Sequence, residues 1–226
     1  MSVENELVFP GPVKDLSSIR LDLRSWIEVE EYLQSCKAII LPLGSTEQHG
    51  PTGAIGTDAI TAEAVALEVG KRSGVFVTPT QAFGMAEHHL GFPGTMSLQP
   101  ATLMQLIHDL VLSLVQNGFE QIYVINGHGG NIATVKAAFA QAYSSALSRK
   151  LSASKRMKCK LVNWFMVPEV FREAKNLYGE NEGQHATSSE IALTLYLEPS
   201  LISKQRPLPA ANPAASIHGY EDFRNR

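Results

Sequence analysis

The stretch Lys37-Ala-Ile-Ile-Leu-Pro-Leu43, followed at once by Gly44-Ser-Thr-Glu47-Gln-His49-Gly50, decides the fold class. A continuous apolar run that closes on a glycine reads as a strand buried on both faces. Val75–Thr80 (VFVTPT), Glu120–Asn126 (EQIYVIN) and Lys160–Phe165 (KLVNWF) repeat the pattern. Between these runs, Ser25–Gln34, Ala59–Lys71, Ala101–Gln116 and Ile132–Leu147 carry apolar residues at helical spacing. Strands alternating with helices predict an α/β domain, a mostly parallel sheet covered by helices on both faces.

The helix over Ala101–Gln116 has the clearest signals. Pro100 suits a first turn, Leu103, Ile107, Leu110 and Leu114 form a core stripe, and Asn117-Gly118 ends it. His108 in this helix is assigned no ligand role. Glu28, Glu30 and Glu31 read as the wet face of an earlier helix. Arg149–Lys160 is basic but has no interleaved aromatic residues, which suits a solvated connection and not a nucleic-acid surface. Pro207–Ser216 (PLPAANPAAS) cannot hold a regular element, so residues 206–226 are expected to form an extended arm on a single domain spanning 1–226.

Composition fits that reading. The chain has 226 residues, 44% hydrophobic and 18% charged, with a net charge of −3, so a sizeable core can form and no charge excess draws it to phosphate backbones or anionic membranes. Cys36 and Cys159 belong to no CxxC pair, which excludes a disulfide framework or a cysteine zinc site, and both are expected to be buried thiols. The amino-terminal residues lack a basic segment followed by an apolar one, and no apolar run approaches the ~20 residues of a membrane span. The expectation is a cytoplasmic protein without nucleic-acid or membrane partners.

Chemistry concentrates after the strands, where ligands bind in open α/β sheets. After the first strand, Glu47 and His49 are two apart and share a face of extended chain, and a glycine-containing turn is expected to return Asp58 beside them. Carboxylate, imidazole and carboxylate make a zinc or hard-metal ligand set. After the third strand comes Asn126-Gly127-His128-Gly129-Gly130-Asn131, whose glycines keep bulk away from the imidazole. As a dinucleotide fingerprint it fails, because Ile132 stands where the third glycine belongs. A third cluster, Gly183-Gln-His185-Ala-Thr187-Ser188-Ser-Glu190, enters a helix that Thr187 or Ser188 caps, with Glu190 in a first turn that favours a carboxylate in any case. Phe83–Thr95, rich in Gly and Pro and containing Met85, His88, His89 and Phe92, reads as a substrate loop with apolar and hydrogen-bonding walls. No GxSxG motif supports a serine hydrolase.

The motifs GSTEQHGP…GTD, HHLGFPGT, NGHGGN, and HA with Glu five residues after the histidine resemble the creatininase family of metal-dependent amidohydrolases, in order from about Leu41 to Leu197. The resemblance implies a three-layer αβα fold, a pair of divalent metal ions per chain (zinc first, with manganese or iron as alternatives) and assembly as a homo-hexamer. It implies that Glu47, Asp58 and His128 hold one metal, that His49 and the bridging Asp58 hold the other, and that His185 shuttles a proton, with Glu190 near the metals and acting in catalysis. Creatininase itself has a glutamate two residues after the metal histidine, where this chain has Gly130. Glu190 is therefore expected to complete the second metal site, and creatinine is disfavoured as substrate. Creatininase closes tryptophans over its substrate; Tyr178 stands in the corresponding segment here. His88, His89, Gly129 and Tyr178 are the expected substrate contacts. The expected activity is hydrolysis of a C–N amide bond, in a cyclic amide or formamide of a small polar molecule. The rival reading is a member of the same fold that binds metal without turnover.

Overall fold

The computed structural model describes residues 10–11 and 14–204; the expected arm over 206–226 lies outside them. Among the described residues, β1 (Ala38–Leu43), β2 (Phe76–Val77), β3 (Gln121–Asn126) and β4 (Lys158–Asn163) form one parallel sheet in the order β2-β1-β3-β4. The helices are α1 (Trp26–Ser35), α2 (Thr57–Ser73), α3 (Pro100–Gln116), α4 (Asn131–Ser148), α5 (Pro168–Tyr178) and α6 (Ser188–Leu197).

The unbroken apolar run of β1 is explained by burial on both sides. Ile39, Leu41 and Leu43 join Leu103, Ile107 and Val111 of α3 and Val135, Ala138 and Phe139 of α4 in one core. Ala38 and Ile40 face the other way, toward Ala66 of α2, Val77 and Trp164. Three layers result, αβα. Each fully buried Ile or Leu in this sandwich contributes about 1.5–3 kcal/mol. Local signals set the helix ends: Ser25 and Glu28 form a capping box on α1, and α3 starts on Pro100 and is followed by Gly118 at φ 103°.

Several elements differ from their sequence-based limits. β2 is shorter than Val75–Thr80, since Pro79 offers no N–H to a ladder. β4 starts at Lys158 and ends at Asn163, and Trp164–Met166 turns as 3-10 helix instead of extending the strand. In α3, Leu110 is exposed and the buried stripe runs through Leu103, Ile107, Val111 and Val115. His108 is buried, tied to the Ser145 hydroxyl of α4 and to Asp109, so it joins two helices away from the strand ends. Cys159 is half-buried, unlike the buried Cys36. Helix α5 lies outside the helices expected from the sequence. No described helix is long and apolar enough to cross a membrane.

The strand order positions the site. From β1 the chain passes to β2 on one side and later to β3 on the other, so the carboxyl ends of β1 and β3 flank a topological switch point. The first turn of α2 wedges between them. A Cβ on Gly44 would lie 2.4 Å from the Ala59 nitrogen, and one on Gly127 2.3 Å from the Asp58 carbonyl oxygen. Glycine at both strand ends is what admits Asp58 to the crevice.

Candidate metal centre

Five buried side chains converge there from four places in the chain. Glu47 and His49 follow β1, Asp58 sits in the first turn of α2, His128 follows β3, and Glu190 lies in the first turn of α6. His128 Nδ1 stands 3.1 Å from Glu47 Oε1 and 3.2 Å from Asp58 Oδ2. His49 Nε2 stands 3.1 Å from Asp58 Oδ1 and 3.9 Å from Glu190 Oε1. The donor atoms of Glu47, Asp58 and His128 lie within 4.8 Å of one another, as do those of His49, Asp58 and Glu190. Asp58 thus offers one oxygen to each group. The turns over residues 50–56 bring Asp58 back beside His49, and α2 begins at Thr57, two residues before the Ala59 expected from the sequence.

Both imidazoles are anchored at their far nitrogens. His128 Nε2–H donates to the Met85 carbonyl at 3.0 Å, and His49 Nδ1–H to the Glu47 carbonyl at 3.1 Å. This leaves His128 Nδ1 and His49 Nε2 turned toward the carboxylates, the arrangement in which an outer hydrogen bond orients a metal-binding imidazole. Both Glu47 oxygens and Asp58 Oδ2 are buried without a hydrogen-bond partner among the described residues. Buried carboxylates in that condition are costly unless a cation sits between them and the facing nitrogens.

Without a metal that cation is a proton. Burial alone pulls the His49 imidazole down, but Asp58, Glu190 and Glu47 outweigh it and raise His49 to about 9. Burial likewise opposes, and Asp58 and Glu47 overcome, a rise of His128 well above its ordinary value. Burial would raise Glu47, yet His128 and His89 hold it well below the usual carboxylate range. Glu190 goes the other way, pushed up to about 7 by burial, with His49 opposing and Asp58 adding to the rise.

Around this centre the NGHGGN turn is held by its two asparagines. Asn126 Nδ2 donates to the His128 carbonyl at 2.6 Å; Asn131 donates to the Gly44 carbonyl at 2.9 Å and accepts from the Met85 N–H at 2.9 Å. A Cβ on Gly130 would stand 2.3 Å from His128 Nε2 and 2.5 Å from the Met85 carbonyl, so this turn has no room for a side chain at 130. Glu190 caps α6 reciprocally with Thr187 while facing His49, so the capping and site readings of this residue coexist. Next to His185, Ala186 has φ 50°, a left-handed conformation rare for alanine and a form of strain that clusters at functional sites.

A cavity of about 310 Å³ opens over the carboxylates and histidines. His185 and Gly129 line it. His88, His89, Tyr178, Phe83, Met85 and Phe92 do not. His88 is exposed and stacks against His128 at 5.9 Å between ring centroids; His89 is buried beneath, with Nε2 3.2 Å from Glu47 Oε1. Tyr178 ends α5 outside the cavity lining, and Phe171, two turns earlier, lines the cavity with Phe165 and Met166. These three residues were not among the site residues expected from the sequence; the one signal there was Phe171 amid the charged residues Glu169, Arg172, Glu173 and Lys175. Burial, then His49 and His89, push the His185 imidazole down to about 3, so it is neutral at pH 7, with Nδ1 3.9 Å from Glu47 Oε1.

The sequence model of the creatinine amidohydrolase family, Creatininase, matches residues 22–225. The chain belongs to the creatininase family. Creatinine amidohydrolase of Pseudomonas putida is 26% identical over 209 residues, covering 88% of this chain and 78% of that protein. Mycofactocin precursor peptide peptidase of Mycolicibacterium smegmatis is 39% identical over 108 residues, 45% of this chain and 43% of its own length. The 3-dehydro-scyllo-inosose hydrolase of Thermotoga maritima is 31% identical over 103 residues, 45% of this chain and 33% of its own length. The chain therefore spans less than half the length of these last two relatives. Among solved structures, a creatinine amidohydrolase superposes with TM-score 0.78 at 24% identity, over 92% of this chain and 84% of the other. A creatininase described as a manganese form gives 0.77 at 23%, over 92% and 85%, and a Zn-Zn creatininase variant 0.75 at 24%, over 92% and 85%. These likenesses establish the αβα creatininase fold.

Proposed function

We propose that this chain hydrolyses a C–N amide bond with the help of paired divalent cations, one held by Glu47, Asp58 and His128 and the other by His49, Asp58 and Glu190. The observation that carries the reading is the facing of unpartnered Glu47 and Asp58 oxygens onto ring nitrogens whose far sides are anchored to backbone carbonyls. Zinc or manganese suits these oxygen and nitrogen donors, and both metals occur in the descriptions of creatininase structures of this fold. When bound, such cations polarise a carbonyl and lower the pKa of a water from 15.7 to about 7.

The chain's own groups do the rest. Asp58 and the two anchored histidines fix the donor positions. His185, neutral at pH 7 and lining the cavity, takes a proton at Nδ1 and passes it to the departing nitrogen. Phe165, Met166 and Phe171 form an apolar wall that holds the substrate's non-reacting part. Glu190 serves the second position because Gly130 cannot carry a side chain. The open apolar wall accommodates a side chain as well as a ring, so short peptide amides stand beside cyclic amides and formamides as substrates. Assembly as a homo-hexamer and a cytoplasmic location belong to the same proposal.

Elemental analysis of protein purified without chelator is the first test, followed by assay of a panel of cyclic amides, formamides and short peptides with zinc or manganese. About two ions per chain and turnover of one class are expected. Metal without turnover on any class would favour the binder that lacks catalysis; no metal uptake would remove the reading.

A further inference from the structure

Gln48 sits between two proposed ligands, is buried, and has no part in the reaction above. Its side-chain oxygen accepts from the Gly50 N–H at 2.9 Å. A backbone N–H is always a donor, so the amide's orientation follows and its NH2 group points the other way. That NH2 stands 2.9 Å from His89 Nδ1 and 2.9 Å from His185 Nε2. A ring nitrogen facing an NH2 group must offer its lone pair, because a hydrogen there would meet an amide hydrogen head-on. His89 therefore carries its hydrogen on Nε2, the nitrogen turned toward Glu47 Oε1. A nitrogen that bears a hydrogen has no lone pair for a metal. The consequence is specific, because Glu47, His89 and His185 form a third group with metal-ligand spacing. His185 differs from His89: its Nε2 is met both by the Gln48 NH2 and, at 3.0 Å, by the Gln48 carbonyl, so either tautomer finds a partner.

We infer that Gln48 is a positioning residue that locks His89 in the Nε2–H tautomer, closing the Glu47–His89–His185 group to metal and reserving Glu47 for Asp58 and His128. His185 stays able to hold its hydrogen on either nitrogen, as a proton carrier requires. The tautomer of His89 follows from geometry alone; its effect on metal count rests on the paired-cation reading.

Gln48→Glu tests this. It keeps the shape and an oxygen for Gly50 but replaces the NH2 by a carboxylate oxygen that accepts from His89 Nδ1 while Glu47 still accepts from Nε2, so metal-free His89 should carry a hydrogen on both nitrogens and a metal should then displace only the one on Nε2. In protein labelled with 15N-histidine, two-bond 15N–1H correlation reads the tautomer, with His89→Asn assigning the signal, in metal-free and in zinc-loaded samples. The expected result is Nε2–H in the wild type, hydrogens on both nitrogens in metal-free Q48E, Nδ1–H alone in zinc-loaded Q48E, and about one additional zinc per chain in Q48E by elemental analysis. Gln48→Met, which removes donor and acceptor together, serves if Q48E fails to fold; Glu47 keeps metal-free His89 in the Nε2–H form, and the Nδ1–H form should appear only in the zinc-loaded sample. An Nδ1–H signal for wild-type His89, or an Nε2–H tautomer retained in the folded, zinc-loaded variants, overturns the inference. A flipped tautomer with no extra zinc overturns the closure of the third position. If the wild type takes up no zinc, the paired-cation function fails while the metal-free spectrum still decides the tautomer.

Discussion

The floor and the wall of the cavity are built differently. Glu47, His49, Asp58 and His128 lie at the ends of β1 and β3 and in the first turn of α2, each no more than 5% exposed and held by backbone carbonyls or glycine-wide gaps. Met166 and Phe171, from the segment after β4, are 58% and 54% exposed. Rigid burial suits groups that must keep fixed distances, whereas an open apolar rim adapts to what is bound. The contrast assigns chemistry to the floor and substrate choice to the wall.

The largest effect expected is from Asp58→Ala. Its two oxygens face both groups, so zinc should fall from about two ions per chain to fewer than one and turnover should be lost. Elemental analysis together with circular dichroism checks this. Retention of both ions in the folded variant would break the division between floor and wall. His185→Ala comes next: metal content unchanged, kcat lowered about 10²- to 10⁴-fold. Undiminished turnover would move proton transfer to another group.

The floor should also respond to pH through competition between proton and metal. His49 is raised to about 9 without metal, so zinc affinity should climb about tenfold per pH unit for each proton displaced, up to pH 9. The stability of the metal-free protein should follow the opposite sign. A raised imidazole contributes stability that is complete below its ordinary 6.5 and is lost as pH rises through about 9. Zinc titrations and thermal unfolding from pH 6 to 9 read both trends, and a flat metal-free profile would contradict them. The smallest effect belongs to the wall: Phe171→Ala should raise KM about tenfold, leave kcat and zinc unchanged, and shift stability by no more than about 0.5 kcal/mol. A loss of metal in that variant would show that the wall supports the floor after all.

The layered fold was legible because a strand buried on both faces leaves an unbroken apolar run, and Ala38–Leu43 and Gln121–Asn126 fall inside the runs read from sequence. Among site residues, Glu47, His49 and His128 were legible because each follows directly on such a strand. Asp58 was legible because a glycine-containing turn after His49 can double the chain back, which the turns over residues 50–56 do. His89 was read as part of a Gly- and Pro-rich substrate loop, and Tyr178 as standing in the segment where creatininase carries its tryptophans. Packing instead buries His89 against Glu47 and leaves Tyr178 outside the cavity lining.

The sequence alone therefore determined the elements, the layer arrangement and the chemical types available, since periodicity, apolar runs and glycine placement are local properties. Only the tertiary structure decided which oxygen faces which nitrogen. Gln48 and His185, 137 residues apart, meet because β1 and the start of α6 pack at one switch point. Hydrogen-bond direction, and with it the tautomer of each histidine, depends on that meeting and on no feature of either local segment.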